Sequence, residues 1–276
     1  MNEQEILNCV PVKNDDAFAF TREELNGKMM FISSKHPELK ELTMNRTAIY
    51  IFDNCTGKAT ISNICEAVMQ RYNSEALISI QGDTISTLVN FWRLGLIHWK
   101  GLTPYDYMFS ESIEGDVFKL LSEDEVIAKM HLFNNKCYFD PTKDESFAYS
   151  ESALRQKVFS NIEVFFEVTN DESQKLLMSF LPDYNKMSLQ IGYLFIDDRI
   201  IDLSIAEKFL TWCSSCLSRL SNNSWSNSFQ KIRIFLLPEY VEVTKKIQLI
   251  GFKNIGNLKG EFEDSNQVLQ IYDYNF

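Results

Sequence analysis

No stretch of this 276-residue chain approaches the ~18 consecutive apolar residues that a membrane-spanning helix needs. A membrane-spanning helix is excluded on that ground. Positive charge is also in short supply: 27 Lys and Arg stand against 38 Asp and Glu, for a net charge of −11. The deficit is uneven, with 10 basic and 12 acidic residues over positions 1–100, then 17 and 26 over 101–276. Such a surface repels nucleic acid and anionic lipid, which are bound by clustered cations that displace counterions. The amino-terminal "MNEQEILNCV" lacks the apolar core of an export signal. Histidine is scarce, and none of His36, His98 and His131 lies near the one CxxC pair, Cys213 and Cys216. A zinc site takes about four ligands, so this pair reads as two buried thiols one helical turn apart, and no metal is expected. Cys9, Cys55, Cys65 and Cys137 are scattered, the pattern of reduced thiols in a cytoplasmic protein.

What the chain does have is apolar mass. Hydrophobic residues make up 45% and aromatics 13%, including 21 Phe, enough to fill real cores. The length suits two domains.

Residues 1–100 read as short strands followed by three helices. "AFAF" (17–20) and "MMFIS" (29–33) are strand-like, with a turn at Asn26-Gly27 between them. Ala48, Ile51, Phe52 and Cys55 then recur at helical spacing and stop before Gly57. Thr60 caps "ISNICEAVMQRYN", Asp83 or Thr84 opens "TISTLVNFWRLG", and "LIHW" closes the unit as a strand. This is a winged-helix-like pattern. The third helix carries only Arg93, too few cations for a DNA reader.

"NRTAIYIFDNCTGKATISNI" (45–64) and the closing "FWRLGLIHW" resemble the signature of PqqD-like peptide-binding domains, also called RiPP recognition elements. The matching positions are Asn45, Thr47-Ala48, Ile51-Phe52, Gly57 and Thr60. The resemblance implies binding of the leader segment of a ribosomally made precursor peptide, added as a strand to a sheet edge. It puts Met30, Phe31 and Ile32 on the receiving strand, and Ile85, Leu88, Val89 and Trp92 on the facing helix. The plainer alternative is that each of these apolar residues is core.

"KGLTPYDYMFSESIEGD" mixes Gly, Pro, Ser and acids, and 101–114 reads as a linker. From 115 to 276 a second domain follows. Ser122 and Glu125 form a capping box at a helix start. "IEVFFEVTN", "KLLMSFLPDY" and "SLQIGYLFID" alternate as strands. Next come a helix over 203–220, the strand "KIRIFLLP", a short helix ending at Gly251-Phe252, and two last strands. The fold class expected for the whole is α+β, the second domain being a mixed, mostly antiparallel sheet with flanking helices.

That order, and "IQLIGFKNIGNLKGEF" in particular, resembles the GNAT superfamily of N-acyltransferases. The resemblance implies an acyl-CoA or acyl-pantetheine donor, its amides pairing with Phe195 and Ile196. The phosphates would lie near Arg199 and the amides of Ser204, Ile205 and Ala206, at a helix start. Two departures stand out. The turn carries Ile201 and Ser204 amid Asp197, Asp198 and Asp202. Ile247 occupies the position of the family's proton-donating Tyr, and an aliphatic side chain cannot donate a proton. Tyr240 is the nearest substitute, and Glu167, Asp197 and Glu163 are the candidate bases. Two functions stay open: an acyltransferase acting on an amine of a leader-bearing peptide, with an acyl carrier protein or other maturation enzymes as further partners, or a catalytically degenerate peptide adaptor.

Overall fold

The computed structural model describes residues 3–39, 41–72, 77–101, 103–132, 138–142, 149–170, 173–183, 185–196, 203–220, 229–259 and 268–276. The chain divides into two units, Met1–Ser110 and Glu111–Phe276.

In the first unit, helix α1 (Glu3–Leu7) precedes β1 (Pro11–Lys13), which pairs antiparallel with β5 (Ile97–Trp99). Strands β2 (Phe18–Glu24), β3 (Lys28–Ser33) and β4 (Leu42–Met44) form an antiparallel sheet in the order β2-β3-β4. The turn between β2 and β3 needs left-handed backbone at two residues, and Asn26 (φ 71°) and Gly27 (φ 66°) supply it. Helices α2 (Arg46–Asp53), α3 (Ile61–Tyr72) and α4 (Leu77–Arg93) follow. The α2 start is fixed by Asn45, whose side chain accepts from the Ala48 amide at 2.8 Å. The core is a chain of edge-on rings, Phe18 to Phe31, Phe18 to Phe52 and Phe52 to Phe91, at 5.4, 5.4 and 5.6 Å.

Two expectations are corrected. Helix α4 begins at Leu77, ahead of the Asp83 start, because Gly82 sits inside the helix; the ~1 kcal/mol cost of a helical glycine is outweighed by packing of α4 on α3. The stretch 101–114 is no open linker. Thr103 and Asp106 form a capping box on α5 (Pro104–Phe109), whose Tyr105 and Phe109 are buried, with Tyr105 5.3 Å from the Trp92 ring. Strand β6 (Ser110–Ile113) then turns into β7 (Asp116–Leu120) through Glu114 and Gly115, both at positive φ.

The second unit is one sheet in the order β13-β14-β12-β11-β10-β9-β7-β6. Its strands are β9 (Val164–Asn170), β10 (Ser173–Asp183), β11 (Ser188–Ile196), β12 (Lys231–Leu236), β13 (Lys253–Lys259) and β14 (Val268–Asn275), with a short β8 (Tyr138–Phe139) off this path. The recorded pairings are antiparallel except β11 with β12. Helices α6 (Glu123–Ala128) and α7 (Glu151–Phe159) cover one face, where Val126, Leu154 and Val158 pack with Phe165, Leu177 and Tyr193. On the other face lies α8 (Leu203–Leu220), its Phe209 and Trp212 set edge-on to Phe118 at 5.5 and 5.9 Å. The Ser122–Glu125 capping box forms, with Glu125 Oε2 accepting from the Ser122 amide at 2.9 Å. Helix α9 (Val241–Leu249) stops at Gly251, whose φ of 105° suits glycine, and buried Phe252 lands 5.5 Å from the Tyr274 ring.

The division predicts that residues 1–110 expressed alone give a soluble fragment with a single cooperative thermal transition. An insoluble or non-cooperative fragment would contradict it.

Candidate functional site

The site is set by the one parallel pair among the described residues. β11 and β12 are in register over only three positions, Ser188 with Lys231, Leu189 with Ile232 and Gln190 with Arg233. Beyond Gln190 the edge of β11 takes a different neighbour: Tyr193 pairs with Phe139 and Leu194 with Tyr138 of β8, and the Asp140 amide donates to the Gly192 carbonyl at 2.8 Å. A wedge therefore opens between β11 and β12, and a strand of the chain itself lies in it.

That strand is well held. The fully buried Tyr138 donates its hydroxyl to the Phe235 carbonyl of β12 at 2.7 Å, closing the wedge from side to side. Burial, with the Asp140 charge nearby, pushes this phenol well above the usual range, so it stays a protonated donor. Asp140, itself buried, accepts from the Thr142 amide and hydroxyl at 3.0 and 2.7 Å and from the Gln190 side-chain amide. The Phe139 ring lies 5.0 Å from Tyr149 and 5.2 Å from Tyr193.

Beside the wedge is a polar cluster that only the structure reveals as a unit. Glu163, 1% exposed, receives the Ser179 hydroxyl at 2.5 Å and pairs with Lys157 at 3.3 Å. The Tyr149 hydroxyl is 3.1 Å from Glu163 Oε1 and 3.0 Å from the Gly192 carbonyl, two acceptors for one proton. Burial next to Glu163 raises the Tyr149 pKa far above the ordinary phenol value. A Cβ at Gly192 would meet Glu163 Oε1 and Leu181 Cδ1 at 2.6 Å, so a larger residue there would displace both side chains.

The sequence-predicted residues fall in several places. Phe195 and Ile196 sit at the end of β11, paired on one side with Leu177 and Leu176. The Ile196 carbonyl accepts from Lys246 of α9 at 3.2 Å. Ser204, Ile205 and Ala206 form the first turn of α8, with Ala206 buried. Tyr240, at the start of α9, lies with its ring 5.6 Å from Tyr138, so the wedge strand touches it directly. Ile247 is 1% exposed and serves as core. Glu167 shares a cross-strand row with Leu177 and Phe195, two strands and thus ~10 Å from the wedge edge, and is ion-paired to Lys129 at 2.6 Å. Asp197 and Arg199 lie outside the described residues, as does Cys137.

In the first unit the expected receiving strand needs correction. β3 is central over Met29–Phe31, its amides and carbonyls shared between β2 and β4, so Met30 and Phe31 offer no open edge; both are buried. Ile32 lies beyond the β4 pairing. Leu88 and Val89 are buried, and Trp92 packs on Tyr105. The neighbouring face of α4 was not read from sequence: Asp83, Thr84 and Thr87 line a cleft of about 380 Å³ with Asn45, Thr47 and Ala48 at the start of α2.

No protein-family model matches the chain, and neither does any curated protein. Solved structures similar to the chain include the ribosomal-protein-S5-alanine acetyltransferase of Vibrio fischeri, 12% identical over 60% of this chain and 96% of that one, with a TM-score of 0.41. A spermidine N-acetyltransferase of Vibrio cholerae, in complex with CoA and spermine, is 15% identical over 59% and 96%, also at 0.41. Likenesses at this level carry no argument about activity or substrate.

Among the described residues there is no cluster of His, Cys, Asp or Glu that could hold a metal ion, and no helix is long and apolar enough to cross a membrane. Cys213 and Cys216 are buried free thiols in α8, with Cys216 pushed up to about 11 by burial, opposed by the neighbouring Arg219.

Because Glu163 joins α7, β9, β10 and the segment carrying Tyr149, its removal leaves several polar partners unpaired in the interior. Glu163→Ala is expected to cost about 3 kcal/mol of stability in urea denaturation. A loss under about 1 kcal/mol would show that the cluster is not a structural anchor.

Proposed function

We propose that this protein is a GNAT-like N-acyltransferase joined to a PqqD-like unit that holds the leader of a ribosomally made precursor peptide. The observation that carries the acyltransfer reading is the wedge: two parallel strands that part after three pairs, followed by a helix start at Leu203–Ala206. A thioester donor with a peptide-like pantetheine arm suits such a place. Its amides would pair along β11 at Phe195 and Ile196, and its phosphates would meet the first-turn amides of α8. Tyr240 borders the wedge through Tyr138, and its phenol is the group proposed to protonate the leaving thiolate. Glu167 and Asp197 are proposed as bases for the acceptor amine.

The peptide-binding half of the proposal rests on the small sheet and its cleft. Among the described residues nothing pairs with the outer edge of β4, which runs directly into Asn45 at the mouth of the α2–α4 cleft. A leader added to β4 would have its side chains reach that cleft. Tethering the peptide to the same chain as the transferase raises the local concentration of its amine to the order of millimolar.

A second reading, a peptide adaptor without transfer, is favoured by Ile247 in place of a phenol and by the strand lying in the wedge.

Two experiments decide. Incubating the full chain with its precursor peptide and acyl-CoA or acyl carrier protein in turn is expected to add one acyl mass to the peptide, with Tyr240→Phe slower by roughly 10²-fold. No mass shift with any donor would leave the adaptor. For the peptide site, Leu42→Pro and Thr43→Pro remove successive β4 amides. One of them should weaken leader binding at least tenfold by calorimetry, while Thr21→Pro on β2 leaves it unchanged. Normal binding by both β4 variants would place the leader elsewhere.

A further inference from the structure

We infer that Tyr138–Asp140 is a built-in occupant of the donor wedge, an autoinhibitory strand that must leave before a thioester donor can seat. The inference deepens the acyltransfer reading and rests on it.

A donor with its phosphates at the start of α8 and its amides at Phe195 and Ile196 must run back along β11, so that its thioester arrives beside Leu194 and Tyr193. Those are the two residues to which Tyr138 and Phe139 are paired. An extended peptide segment and a pantetheine arm both offer amide N–H and C=O groups to a strand edge, so they compete for one β11 edge. The Tyr138 side chain completes the obstruction by spanning the gap to the Phe235 carbonyl at 2.7 Å.

The attachment is also of a kind that can be released. β8 contributes two paired residues and lies off the main path of the sheet, so among the described residues its departure breaks no other strand pairing. Among the described residues its holdfasts are the two β11 pairings, the Tyr138 hydroxyl on β12, the Asp140 amide on Gly192, the Asp140 carboxylate on Gln190, and ring contacts of Tyr138 with Tyr240 and of Phe139 with Tyr149 and Tyr193. Gln190 is the last β11 residue in register with β12, so the latch is fastened where the two strands begin to part. Phe139, between Tyr149 and Tyr193, also shields the Tyr149–Glu163 pair next to Gly192. Withdrawal of the strand would therefore open the wedge and further expose the partly buried Tyr149 phenol that is bonded to Glu163.

The test compares the wild-type full chain with Asp140→Ala, which undoes the latch, and Tyr138→Phe, which removes only the hydroxyl strap. Coenzyme A is titrated by calorimetry, and hydrogen exchange is followed at the amides of residues 192–194. The inference expects slow exchange and weak CoA binding in the wild type. Exchange should be faster and CoA affinity at least tenfold higher in Asp140→Ala, with a smaller gain in Tyr138→Phe, which stands in should Asp140→Ala fail to fold. Equal CoA affinity in the wild type and both variants would overturn the gate while leaving the acyltransfer reading intact. Accelerated exchange in the variants with no CoA binding at millimolar concentration in any of the three would overturn the inference and restrict the acyltransfer reading to a carrier-protein donor.

Discussion

Three cross-strand pairs, Ser188–Lys231 through Gln190–Arg233, join the two halves of the larger sheet, and the candidate site exists because there are only three. On one side, β6 to β11 form an antiparallel run; on the other, β12 and β14 are tied over six pairs, with Arg233 donating from Nε and Nη2 to the two oxygens of Asp273 at 2.7 and 2.8 Å. Each half is extensively paired and the joint is short. The strands therefore separate beyond it, and the exposed edge of β11 has to be satisfied by something, since unpaired backbone groups in the interior are costly. Among the described residues, that need is met over Gly192–Leu194 by β8. The filling of the wedge and its opening are thus two consequences of one constraint.

The site's electrostatics follow the same logic. Tyr138, fully buried, and Tyr149, partly buried, are phenols with strongly raised pKa values, so both are fixed as hydrogen-bond donors, one to β12 and one toward Glu163 and β11. Glu163 is buried but shared among Ser179, Lys157 and Tyr149, which offsets the cost of a carboxylate in the interior. Glu167, by contrast, is committed to Lys129. A base for an incoming amine needs a carboxylate that can be reached, and these partners define how each could be freed.

Much of the fold was legible because local signals agreed with tertiary ones. The helix over 203–220 has a clean apolar stripe and forms over Leu203–Leu220. The Ser122–Glu125 box and the Gly251 stop each mark a backbone need that only a few residue types satisfy. The misses have physical reasons. β4 is three residues long, too short to alternate visibly, and overlooking it made β3 look like an edge. α5 hides in a stretch whose Pro and Thr read as linker, yet serve as N1 and N-cap of a helix with two buried rings. β8 carries no strand pattern in two residues; it is a strand because β11 needs a partner. The cluster around Glu163 was invisible for a related reason. Its partners Tyr149, Lys157, Ser179 and Gly192 come from four elements or turns, and only the sheet register brings them together.

The account's central claim is that one edge of β11 serves both the chain's own strand and an acyl donor. The most direct measurement is an experimental structure of the full chain with a non-hydrolysable acyl-CoA bound. The account predicts the pantetheine arm paired along Phe195 and Ile196, with the Tyr138 hydroxyl withdrawn from the Phe235 carbonyl. An arm seated in the wedge with that hydrogen bond intact, or a donor bound away from β11, would contradict it.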